Sequence, residues 1–359
     1  MQTNSGTLAA PFPWFGGKSG ACDVVWQAFG VVDNYVEPFA GSAAMLLGAP
    51  DGKRVETIND ADGFVANFWR ATAMDAEAVA AAADWPCNEA DLFARHSWLV
   101  RQRDGLLDKL HADPAFYDAQ IAGWWCWGAC NWIGSGWCAG TGPWVHDGDK
   151  IVDVRKLPHL SAGQGINRKL PHLGDAGRGI NRQLPHLSAG QGINRQLPHL
   201  GNAGQGDGHP RSAYIRAWFA ALQARMRDVR VTCGDWSRVV KDSVTTRHGL
   251  TAVFLDPPYT KGAMDYSAGG VGGELARDVQ AWCAANGSNK MLRIVLCGHA
   301  GEHDALLQHG WHTRQWMARK GYALTDEAVA NSASETVWCS PHCVAPVVAQ
   351  NDLFSEVAA

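Results

Sequence analysis

Asp256-Pro257-Pro258-Tyr259 sets a carboxylate, two rigid residues and an aromatic face side by side, directly after the apolar run Ala252-Val253-Phe254-Leu255. A proline has no N–H and a fixed φ, so such a turn presents its carbonyls without needing a sheet partner. Carboxylate and carbonyl oxygens accept hydrogen bonds from an exocyclic amine, while a tyrosine ring stacks on a flat heterocycle. The tetrapeptide therefore suits gripping an amine-bearing ring. Its competing reading is a purely structural proline turn at the end of a strand.

Three clusters nearer the N-terminus complement it. Tyr35 to Leu47 reads as a short strand, a small-residue turn and a helix start, in which Gly41 lets a ligand approach the backbone. Val55-Glu56-Thr57-Ile58-Asn59-Asp60 reads as a strand ending in a carboxylate, the position from which α/β nucleotide-binding folds reach ribose hydroxyls. Pro13-Trp14-Phe15-Gly16-Gly17-Lys18 joins an aromatic, a flexible turn and a cation.

Taken in order, Pro13 to Lys18, Glu37-Pro38-Phe39-Ala40-Gly41-Ser42, Asn59-Asp60-Ala61-Asp62 with Asn67-Phe68-Trp69-Arg70, and Asp256 to Tyr259 resemble the motifs of the Dam-type DNA adenine-N6 methyltransferases. The order, with the cofactor loop first, a long middle region next and the catalytic tetrapeptide last, is that of the alpha group. The likeness covers about residues 11–72 and 229–345, and Glu335 to Cys343 resembles the ends of phage-borne members. The resemblance implies S-adenosylmethionine as cofactor, double-stranded DNA as partner and no metal. It implies Trp14 and Lys18 at the border of the cofactor site, Phe39 and Gly41 in its loop, Asp60 on the ribose and Asp235 near the cofactor's adenine. Asp256, Pro257, Pro258 and Tyr259 would form the catalytic turn, with Asp256 also bordering the cofactor. Many members carry a second glycine where this chain has Ala43, so a slightly altered loop contact is expected there, with binding retained.

The implied reaction is direct methyl transfer to the N6 of a flipped-out adenine, without a covalent enzyme intermediate. Cytosine-N4 methylation uses the same amine chemistry but goes more often with Ser at the first position of the tetrapeptide. RNA or protein-glutamine methylation goes with Asn there. From a different class, a DNA-binding protein that has lost catalysis would not need Trp14, Lys18, Asp60 and Asp256 intact.

The elements that must position these residues alternate. Helical patterns cover Ala73 to Ala83, Asp91 to Leu110 and Tyr214 to Arg225; strands are read at Val229 to Cys233, Ala252 to Leu255 and Leu292 to Gly298, and Gly310 to Met317 is expected to pair with Thr336 to Trp338. Alternation of this kind predicts an α/β fold with a doubly wound, mostly parallel, Rossmann-like methyltransferase sheet. The expected organisation is a cofactor-binding part over 1–72, an inserted helical and irregular target-recognition region over 73–212, a catalytic part over 213–345 and a tail over 346–359. Five tryptophans between Trp124 and Trp137, interleaved with glycines, either pack in a core or stack on nucleic acid.

The recognition region contains a repeat. Leu-Pro-His-Leu begins at Leu157, Leu170, Leu184 and Leu197, and Gly-Ile-Asn-Arg at Gly165, Gly179 and Gly192. Units this short and rich in Gly and Pro bury little apolar surface. From Arg155 to Gly206 seven cationic side chains face one carboxylate, within a chain of net charge -4. Arg168, Arg182 and Arg195 are accordingly candidate phosphate contacts, and a solvated expansion is the competing reading. No apolar run reaches the length of a membrane span, and Met1 to Ala10 has neither basic flank nor apolar stretch, so a cytoplasmic enzyme is expected. The ten cysteines include no Cys-x-x-Cys pair, which favours reduced thiols over a metal centre.

Overall fold

The computed structural model describes residues 8–14, 16–132, 137–138, 144–147, 150–153, 211–258, 272–316 and 335–345. Strand β1 (Asn34–Glu37) lies between β2 (Val55–Asp60) and β6 (Thr251–Leu255), parallel to both. Beyond β2 lies β5 (Arg230–Cys233), and beyond β6 lies β7 (Leu292–His299), again parallel. β9 (Glu335–Cys339) runs antiparallel to β7, and β8 (His312–Gln315) pairs antiparallel with β9 at the edge. The order β5-β2-β1-β6-β7-β9-β8 is that of a doubly wound sheet with one reversed strand placed before the far edge. This is an α/β fold with a seven-stranded, mostly parallel mixed sheet, compatible with a Rossmann-like architecture. A separate hairpin pairs β3 (Trp144–Asp147) with β4 (Lys150–Asp153).

Both faces of the sheet are covered, which is why its central strands read as continuous apolar runs rather than alternating ones. Ala252 and Phe254 of β6 join Tyr35, Ile58, Val295 and Val337 in one core, with α1 (Cys22–Phe29), α3 (Gly63–Ala83) and α6 (Arg211–Met226). Val253 and Leu255 face the other way, into a second core with Ile294, Leu296 and Trp338, under α7 (Gly272–Asn286).

The helices begin where side-chain oxygens meet otherwise unpaired N–H groups. Asp62 accepts from the Phe64 N–H at 2.8 Å to start α3. Asn88 accepts from the Asp91 N–H at 2.8 Å to start α4 (Glu89–Ala112), and Asp118 from the Ile121 N–H at 2.8 Å to start α5 (Ala119–Asn131). The Asn88 cap makes α4 longer at its start than the apolar pattern from Asp91 implies. α3 runs across residue 72 and bends at Asp75, where φ is -147° and the Asp75 carboxylate accepts from the Ala78 N–H to restart the helix.

The tryptophan cluster packs. Trp125 meets Phe12 and Phe68 with ring centroids 4.8 and 5.9 Å apart, and the Trp127 indole donates to the Trp85 carbonyl at 2.9 Å. Trp124 meets Trp98 edge-on, Trp132 stacks on His96, and the Trp137 indole donates to the Trp125 carbonyl. All ten cysteines are free thiols; those of Cys126 and Cys130 both donate to the Pro11 carbonyl. Among the described residues no helix is long and apolar enough to cross a membrane.

Candidate active site

In a sheet of this order the strand connections reverse direction between β1 and β6, and the crevice outside the carboxyl ends of those two strands is where ligands bind. The two loops that open there are Pro38 to Gly41, after β1, and Asp256 to Pro258, after β6. Strand length and register thus bring together motifs more than 200 residues apart in the chain, since Tyr35 pairs with Ala252 and Val36 with Val253.

Asn59 and Asp60, at the end of β2, organise the first loop. The Asn59 amide is buried and donates to the Pro38 carbonyl at 3.0 Å and to the Gly234 carbonyl at 2.9 Å, tying the loop after β1 to the loop after β5. Asp60 Oδ2 accepts from the Gly41 N–H and Oδ1 from the Asp62 N–H, each at 2.9 Å. Burial pushes the Asp60 carboxyl up to about 7, despite the Asp62 and Gly41 N–H groups that favour its ionised form. The buried Trp69 indole donates to the Gly41 carbonyl at 2.9 Å, and Asn67 and Asp118 exchange hydrogen bonds at 2.8 Å. Every polar member of the Asn-Asp and Asn-Phe-Trp segments therefore braces the loop or its supporting helices.

Gly41 itself has φ +47°, and a Cβ there would clash with the Trp14 indole. The space beside Gly41 on that side is filled by Trp14, where the sequence suggested an approaching ligand. Ala43, two residues on and just before the short helix α2 (Ala44–Leu47), also has positive φ, 49°, in a left-handed conformation that costs a residue with a Cβ about 1 kcal/mol. The glycine common at this position in the resembled family has a conformational reason. Ala43→Gly is expected to stabilise the fold by about 0.5–1 kcal/mol, read as a shift in the chemical denaturation midpoint with unchanged slope.

Phe39 is half-buried and stacks on Trp236, centroids 6.0 Å apart and planes 29° apart. Asp235, exposed at the carboxyl end of β5, accepts from the Ser237 N–H at 2.9 Å and so caps the short turn that carries Trp236. Trp236, buried in the second core, backs Phe39 from the loop after β5, a contact that sequence reasoning did not anticipate.

The second loop holds the densest charge. Lys18, 4% exposed, lies with Nζ 3.2 Å from Asp256 Oδ1 and 3.7 Å from Glu335 Oε2, and donates to the Gly16 carbonyl at 2.7 Å. Burial works against the ammonium, but the Asp256 and Glu335 carboxylates outweigh it and hold Lys18 above its ordinary value. Glu37, at the end of β1, is buried and accepts from the Tyr35 hydroxyl at 2.9 Å; burial pushes it up to about 8, and its leading charged neighbours are Asp256 and Asp60. Lys18, expected at the cofactor border, is thus directly paired with the catalytic candidate. Pro257 is buried and Pro258 partly so.

Tyr259, and the repeats with Arg168, Arg182 and Arg195, lie outside the described residues. A cleft of about 260 Å³ lined by Arg70, His111, Cys233 and Arg238 adjoins β5, but both guanidinium groups there already donate to backbone carbonyls. Among the described residues no group of three or more His, Cys, Asp or Glu side chains is arranged to hold a metal ion. The chain matches no family model and no curated protein.

Proposed function

We propose that the chain transfers a methyl group from S-adenosylmethionine to the N6 amino nitrogen of adenine in DNA. The observation that carries this reading is the placement of Asp256, paired with buried Lys18, at the strand switch facing the loop that Asp60 and Trp69 brace. When bound, S-adenosylmethionine supplies an electrophilic methyl group on a positively charged sulfur. The site's chemistry fits such a ligand. Glu37 and Asp60 have other carboxyl groups, not cations, as their leading charged neighbours, so this edge of the sheet favours a cation. Trp14, Phe39 and Gly41 would border the ligand, and Asp60 and Asp235 carry carboxylates able to accept from ribose hydroxyls and an adenine amine.

Adenine's amino nitrogen is a poor nucleophile because its lone pair is delocalised into the ring. Asp256 and the Pro257 carbonyl, accepting its two hydrogens, would draw it toward a pyramidal geometry and stabilise the positive charge that develops on it. The target base must leave the helix to reach them, and stacking on Tyr259 would offset a few kcal/mol of lost base stacking. Asp at the first position of the tetrapeptide favours adenine over cytosine as the target.

Calorimetry with S-adenosylmethionine separates this reading from a catalytically silent DNA binder, which would give no heat. Methylation-sensitive sequencing of DNA from an expressing, methylase-deficient host identifies the modified base and its sequence context; unmodified DNA would overturn the proposal. The repeats are proposed to contact phosphates. Deleting residues 157–206 is then expected to weaken DNA binding and to reduce the log-log salt slope by about 0.9 for each phosphate no longer neutralised, with cofactor affinity unchanged. A salt slope equal to that of the full chain would assign DNA binding elsewhere.

A further inference from the structure

β9 bonds to the outer side of β7 and runs against the parallel strands, so its first residue lies at their carboxyl edge: Glu335 is in register with His299, the last residue of β7. Reversal of one strand therefore delivers a carboxylate to the edge where β2 and β6 deliver Asp60 and Asp256. The Glu335 side chain is 16% exposed, and its Oε2 is buried without a hydrogen-bond partner among the described residues. At 3.7 Å its contact with Lys18 Nζ is an ion pair too long for a hydrogen bond. A carboxylate is costly to bury in this way. It contributes nothing to helix capping or strand pairing that an apolar residue would lack.

We propose, resting on the methyl-transfer reading above, that Glu335 is a positioning residue which shares the Lys18 ammonium with Asp256 and thereby sets how strongly Asp256 accepts the hydrogens of the target amine. An ammonium paired with Asp256 alone would neutralise the carboxylate and weaken it as an acceptor. With a second carboxylate on the same ammonium, the cluster keeps one surplus negative charge. Once the target nitrogen is methylated it is cationic and must lose a proton: the N–H electron pair stays on nitrogen and the proton passes to Asp256. Lys18 and Glu335 then remain as a neutral pair, so the proton's arrival strands no buried charge.

Among the described residues, the other groups around Asp256 do not take this role. The Cys297 thiol on β7 is buried and pushed well up, so it stays neutral, and Glu37 on β1 is engaged by the Tyr35 hydroxyl. Burial raises Glu335, and Asp256 raises it further against the opposing pull of Lys18. The two carboxylates therefore repel one another across the shared Lys18 ammonium.

The test is Glu335→Gln, which keeps the shape and removes the charge. The acid limb of single-turnover methyl transfer should move about one unit to lower pH, and the plateau rate should fall about tenfold, because a weaker base accepts the proton less readily. Cofactor affinity and the thermal midpoint should be unchanged, and Glu335→Asp should restore the wild-type pH profile. A profile that does not move overturns the proposal. A second measurement needs neither variant nor turnover: in the wild-type chain the ¹³C carboxyl resonances of Asp256 and Glu335 should titrate in two coupled steps. Independent single steps would overturn the link whatever the activity. Coupled titration in a chain that methylates nothing would uphold the link and reject the reading of function beneath it.

Discussion

Asp256→Asn is expected to lower methyl transfer to DNA by about a thousandfold while S-adenosylmethionine binding stays within about threefold. The amide has the shape of the carboxylate but turns an N–H₂ group toward the amine whose hydrogens must be accepted, so the acceptor that polarises the target nitrogen is lost. The fold should suffer less. Lys18 keeps Glu335 and the Gly16 carbonyl as partners when Asp256 is neutralised, and Asp256 is itself 21% exposed, so water reaches the altered group. A thermal midpoint within a few degrees of wild type, together with the collapsed rate, would mark the effect as chemical. Near-wild-type turnover would remove Asp256 from the catalytic role and with it the main support for the proposed reaction.

Patterns that depend on one segment at a time were legible in the sequence. β2 spans Val55–Asp60 as expected, because an isolated β-branched run between turn residues has one way to pair, and β6 is buried throughout because its run of apolar residues has no polar face. The expected pairing of the strand near Gly310 with that near Thr336 is present as β8 and β9. What was not legible depended on which side chains meet across the sheet. Nothing local marks Glu335 as a partner of Lys18, since the contact exists only because β9 is reversed and lies beside β7. Likewise the space beside Gly41 was expected to be open to a ligand, whereas Trp14, from a loop 27 residues earlier, fills one side of it. Trp236 escaped notice for the same reason: its stacking partner, Phe39, belongs to another strand's loop.

Cofactor affinity should fall as the pH drops through neutrality, and Asp60 is the group expected to cause it. Its ionised carboxylate has two tasks. Both oxygens accept backbone N–H groups that shape the Gly41 loop, and in the proposed function the same carboxylate receives ribose hydroxyls. Burial has raised its value to about 7, so the ionised form that does both is present above that pH and lost below it. Protonation turns one oxygen into a donor facing an N–H, which loosens the loop; it also removes the charge that strengthens the ribose contact. The two effects share a sign. The dissociation constant for S-adenosylmethionine, measured by calorimetry, should therefore be flat above pH 8 and rise about tenfold for each unit below 7, as a single proton taken up on release requires. Glu37, pushed up to about 8, is already held by the Tyr35 hydroxyl and is not placed against the Gly41 loop's N–H groups, so Glu37→Gln should leave the midpoint near 7. Asp60→Asn should weaken binding by roughly 1.5–3 kcal/mol at pH 8, the size of a hydrogen bond to a charged group, and abolish the pH dependence with it. An Asn variant that binds as tightly as wild type, or that keeps the slope below pH 7, would place the cofactor's ribose away from Asp60.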